Sequence, residues 1–163
     1  MIDQKILLEL QEYIEQHFIY ESSFKYSECM EQELILDSIH FELDEFVNNH
    51  RKKTLQELLF SFIDKRDVKD SYVYKKAGID RKLFSKIRSS SDYRPSKNTI
   101  IALALALELN EDDFDELLES GGYSLSDSDT SDLVIKFCLE KKIYNVMQVN
   151  ECLDYFSMKT LGV

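Results

Sequence analysis

Arg81, Lys82, Ser85, Lys86 and Arg88 fall within eight consecutive residues at helical spacing, and their side chains suit the binding of anions. Guanidinium and ammonium groups pair with phosphate or carboxylate oxygens, and a hydroxyl adds a hydrogen bond. Lys75, Lys76, Arg94 and Lys97 extend the same chemistry to either side. A run of cations is ordinarily a solvated helix face. What sets this one apart is concentration: residues 65–97 hold eleven Lys and Arg against four Asp, a net +7 in a chain of net charge −11. Such an island is an electrostatic footprint for an anionic partner, nucleic acid or acidic protein.

The element that must position these cations is a short two-faced helix. At 100° per residue, Leu83, Phe84 and Ile87 gather on one arc of an 81–89 helix, while Arg81, Lys82, Ser85, Lys86 and Arg88 take the other. A helix over 70–77 precedes it, and Gly78 is placed to take the left-handed conformation that ends a helix. Thr54-Leu55-Gln56-Glu57 is a capping box opening a helix with Leu55, Leu58, Leu59, Phe62 and Ile63 on one side. Ser96 caps a nearly continuous apolar helix over 97–109. Asn110 caps another, with Glu111, Asp112 and Asp113 near its positive end and Gly121-Gly122 closing it. Past the polar loop 124–132, two helices are expected with Leu133, Val134, Phe137 and Cys138, then Val146, Val149, Cys152, Leu153 and Phe156, facing inward.

Residues 1–50 hold two basic and twelve acidic residues. Ile6, Leu7, Leu10, Tyr13, Ile14 and His17, and then Leu36, Ile39, His40, Leu43, Phe46, Val47 and His50, give two helical patterns separated by the aromatic residues Phe18, Tyr20, Phe24 and Tyr26. These patterns predict an antiparallel helical pair. One Pro and four Gly in 163 residues favour helix throughout. The expectation is an all-α chain with an acidic N-terminal helical hairpin (1–50), a five-helix domain (54–122) and a C-terminal helical extension packed on it (123–163).

Several classes of chemistry have no support. Cys29, Cys138 and Cys152 lack CxxC spacing, and His17, His40 and His50 form no HExxH motif, so no metal site is expected and the cysteines read as reduced thiols. No Gly-rich phosphate loop, GxSxG elbow or distinct carboxylate pair occurs, so neither an enzyme nor a cofactor is implied. The longest apolar run, 100–107, is too short to span a bilayer, and the N-terminus lacks the order of a signal peptide. A cytoplasmic, non-membrane protein is expected.

Val68, Val73, Gly78, Ile79, Phe84, Ser85 and Ile87, followed by Arg94-Pro95-Ser96 and the 99–118 segment, resemble the lambda-repressor-like (Cro/C1-type, XRE) helix-turn-helix domain at matching spacings, within roughly 54–122. Three positions depart from that pattern. Asp70 stands where the family usually has a phosphate-contacting Gln, Tyr74 where it has a small Ala, and residues 89–93 lengthen the segment after the third helix. The resemblance implies bacterial transcription regulation and duplex DNA as partner. Arg81, Lys82, Ser85 and Lys86 would then sit in the major groove, and Lys75, Lys76, Arg88, Arg94 and Lys97 on phosphates. The 54–163 region is also similar to helical modules in C-terminal parts of multidomain bacterial proteins, which implies an adaptor role. In that alternative the scaffold is kept without DNA binding, and the acidic N-terminal or C-terminal helices contact a protein. A homodimer is expected if paired half-sites are read, through either the Phe18–Tyr26 connector or the final helix.

Overall fold

The computed structural model of the chain describes residues 2–162, and of residues 17–28 the backbone alone. Among these residues the fold is all-α, with eight helices and no strand. It divides into two compact units, Met1–Arg51 and Lys52–Val163.

The first unit is one helix, α1 (Gln4–His50), opened by the Asp3 side chain. This corrects the expected antiparallel pair. No Gly or Pro interrupts residues 2–50, and at 100° per residue the two apolar sets overlap on one side of a single straight helix. One helix therefore satisfies the pattern that also suits two. Every side chain described in α1 is exposed, His40 included, and His50 Nδ1 lies 2.8 Å from the Phe46 carbonyl oxygen. His17 and the aromatic residues Phe18, Tyr20, Phe24 and Tyr26 lie outside the described side chains.

The second unit is built on local signals. Thr54 Oγ1 accepts from the Glu57 N–H at 3.3 Å while Glu57 Oε2 accepts from the Thr54 N–H at 3.2 Å, opening α2 (Leu55–Arg66). α3 (Asp70–Ala77) ends at Gly78, whose φ of 73° is costly for residues carrying a Cβ. Asp80 then caps α4 (Arg81–Ser89). Ser96 caps α5 (Lys97–Ala106), Asn110 caps α6 (Glu111–Ser120), Asp129 caps α7 (Thr130–Glu140) and Asn145 caps α8 (Val146–Tyr155).

α5 is the centre of the unit. Thr99 through Ala106 are all buried, and α5 packs against α3, α6 and α8, with α2 on α6 and α7 on α8. Burying this apolar helix on every side supplies the hydrophobic stabilisation that holds the shorter helices in place. Lys52–Val163 forms one compact unit, within which α7 packs on α8 and α8 on α5.

Three inward assignments need correction. Val134, Cys138, Val149 and Leu153 are buried, but Leu133, Phe137 and Phe156 are exposed. Nothing among the described residues covers the outer sides of α7 and α8, so apolar side chains there remain at the surface.

Candidate anion-binding surface on α4

α4 is the most sharply two-faced helix of the second unit. Phe84 and Ile87 are buried, Leu83 is half-buried, and Arg81, Lys82, Ser85, Lys86 and Arg88 are exposed. The buried side is fixed by aromatic packing: the Phe84 ring lies 5.9 Å from Phe60 edge-on and 5.6 Å from Tyr74. Tyr74 thus fills space between α3 and α4. The apolar anchor sets the rotation of α4, and rotation decides which side chains face solvent.

The nine residues singled out for anion binding divide in two. Lys75, Arg81, Lys82 and Arg94 are exposed, with no ion pair or side-chain hydrogen bond among the described residues. Ser85 is exposed beside them, and the Lys86 ammonium lies 4.6 Å from the centre of the Tyr93 ring. The remaining three cations have partners within the molecule. Lys97 Nζ donates to the buried Asp132 at 2.7 Å, joining the start of α5 to α7. Lys76 donates to the Glu108 carboxylate at 2.9 Å, close to the Tyr72 hydroxyl. Partial burial pulls the Lys76 pKa down, but the Glu108 hydrogen bond and charge outweigh it, leaving the pKa raised. Glu108 has a left-handed backbone, φ 52°, and its carbonyl accepts from Arg66 at 2.9 Å, so two cations of the island hold the end of α5.

Arg88 pairs with Asp70, lies over the Phe60 ring at 4.8 Å, and accepts a hydrogen bond at its carbonyl from the Gln56 amide. Between α3 and α4 is a cleft of about 290 Å³ onto which Arg81, Ser85 and Arg88 open. Charge counting alone did not separate engaged cations from available ones, because the partners of Lys76 and Lys97 lie 32 and 35 residues away in sequence.

Two further features escape sequence spacing. Cys138 and Cys152 come together between α7 and α8; burial first, then the neighbouring Cys152, pushes the Cys138 thiol up to about 12. A groove of about 630 Å³ runs along α7 and α8, lined by Leu133, Val134, Phe137, Cys152, Tyr155 and Phe156. No helix among the described residues is long and apolar enough to cross a membrane. No protein-family model, curated protein or solved structure matches this chain.

Proposed function

We propose that this chain is a DNA-binding regulatory protein in which α3, the Gly78–Asp80 turn and α4 act as a helix-turn-helix, with α4 as the recognition helix. One observation carries the reading: α4 is anchored by Phe84 and Ile87 while Arg81, Lys82, Ser85 and Lys86 stay open to solvent, in an otherwise acidic chain. An anchored helix with a cationic, hydroxyl-bearing outer side suits insertion into a major groove, where such side chains reach base edges and phosphates. Lys75 and Arg94 flank it as phosphate contacts, whereas Lys76 and Lys97 serve the fold.

The test is a titration of the full chain against a labelled mixed-sequence duplex at 50 and 200 mM salt. Affinity should fall steeply with salt, and Arg81→Ala with Lys82→Ala should remove it while the helical circular dichroism stays unchanged. Absence of binding at the lower salt would refute the proposal. A second reading, a protein-interaction module on the same scaffold, is favoured by the open apolar groove on α7 and α8. It requires no duplex affinity and places partner contacts at Phe137 and Tyr155, so Phe137→Glu should abolish capture of a partner where Arg81→Ala does not.

A further inference from the structure

The cleft between α3 and α4 contains one anionic side chain among groups that can donate hydrogen bonds. Ser71, Tyr74, Arg81, Ser85 and Arg88 each present an N–H or O–H group, and only Asp70 brings negative charge. Arg81, Ser85 and Arg88 follow one another at intervals of four and three residues, so they share a side of α4. Arg88 is held from α2 independently of Asp70: the Phe60 ring supports its guanidinium and the Gln56 amide binds its carbonyl. Without the Asp70 carboxylate, the guanidinium keeps its contact with the Phe60 ring. The pair is also within reach of solvent, with the Arg88 side chain 57% and the Asp70 side chain 35% exposed.

We propose that this cleft is a phosphate seat which Asp70 fills in the free protein, so that a backbone phosphate of the duplex binds Arg88 only by displacing the Asp70 carboxylate. The inference builds on the duplex-reading proposal and adds a control on its affinity. A planar guanidinium that binds a carboxylate also fits two oxygens of a phosphate. The displaced carboxylate keeps a favourable position, because Asp70 lies in the first turn of α3, where helix N–H groups favour negative charge and Lys69 supplies no side-chain cap. Asp70 thus lowers affinity in two ways, by occupying Arg88 and by repelling the incoming phosphate.

The experiment measures salt dependence of binding by the full chain to a fluorescein-labelled 20-base-pair duplex, comparing wild type, Asp70→Asn and Asp70→Ser, each also in an Arg88→Ala background. Two replacements of Asp70 guard against one failing to fold, which circular dichroism monitors. Removing one unit charge about 6 Å from a phosphate in a solvent-rich site should tighten binding about three- to tenfold. Freeing Arg88 for one more phosphate should steepen the log–log salt slope by about 0.9. With Arg88→Ala the change in slope should vanish. If wild type binds duplex but both Asp70 variants match it in affinity and slope, the seat is refuted and the duplex-reading proposal stands. If none binds duplex at 50 mM salt, both fall.

A final arm separates duplex phosphate from free phosphate by replacing chloride with inorganic phosphate at matched ionic strength. Equal competition by the two salts supports the duplex as occupant. Selective competition by phosphate, with shifts of the Ser71, Tyr74 and Arg88 amide resonances in the absence of DNA, would overturn it.

Discussion

Replacing Lys97 by Met keeps most of the side-chain stem and removes the ammonium group, and its effect separates a structural cation from a binding one. Asp132 is 5% exposed, and its Oδ2 accepts from Lys97 Nζ at 2.7 Å and from the Ser126 N–H at 2.8 Å. Removing one partner of a fully buried ion pair costs about 3–5 kcal/mol. The Lys97 side chain is 29% exposed, so water reaches the vacated place and the Ser126 bond persists. Together these lower the expected loss to about 2 kcal/mol. For a unit of this size about 4 °C of Tm corresponds to each kcal/mol, and the melt followed at 222 nm should move down by about 8 °C. Adding Asp132→Asn should recover part of that, because a neutral amide can still accept from Ser126 and needs no counter-ion. Below the melting range, the salt slope of duplex binding should be unchanged by Lys97→Met. A Tm within 2 °C of wild type, combined with a slope shallower by about 0.9, would show that Lys97 contacts phosphate and that the reasoning is wrong.

Three other perturbations test the fold that carries α4. A Cβ on Gly121 would lie 2.5 Å from Ile100 Cδ1, and Ile100 is fully buried, so Gly121→Ala should cost about 1–2 kcal/mol by overpacking, read as a lower urea midpoint with an unchanged m-value. Thr54→Ala removes half of the capping box of α2 and should cost about 1 kcal/mol in the same assay. At pH 8 Cys29 should react at once with a disulfide reagent, while Cys138, with its thiol held up to about 12, should react only on unfolding. An unfolded thiol starts to ionise near pH 9 whereas the folded one retains its proton. The folded state therefore binds more protons between about pH 9 and 12, and stability must fall across that window. Cys138→Ala should lose less stability than wild type between pH 8 and 10.5.

Helix ends were legible in the sequence because the bonds that set them join neighbours: Thr54 to Glu57, Ser96 to Thr99 and Asn110 to Asp113 are each three residues apart. Gly78 was legible for a similar reason, a conformation set by one residue. The buried α5 could be read from its unbroken apolar run. What could not be read depends on distant parts of the chain. Periodicity alone does not tell a 47-residue helix from two shorter ones when no breaker lies between. An apolar side chain such as Phe137 points inward only if something covers it, and on the outer side of α7 nothing described does. The approach of Cys138 to Cys152 follows from packing of α7 on α8, which spacing does not encode.

The division of the basic island into engaged and available cations fixes how steep any duplex binding can be. Counting every cation assigned from sequence, Arg81, Lys82, Lys86, Arg88, Lys75, Lys76, Arg94 and Lys97, one protomer would release counterions with a log–log slope of about −7. Lys76 and Lys97 are bound to Glu108 and Asp132, and Arg88 to Asp70. Five remain available, which limits the slope to about −4.5 per protomer. The two values differ by about a thirtyfold change in affinity over a fourfold change in salt, well within reach of an anisotropy titration. A slope near −7 would mean that the internal pairs open on binding, and the melting temperature of the complex would then have to fall in the Lys97→Met variant no more than in a surface substitution. A slope near −4.5 that steepens only when Asp70 is neutralised would place the control of binding at the Asp70–Arg88 pair, whose carboxylate, unlike that of Asp132, is open to solvent.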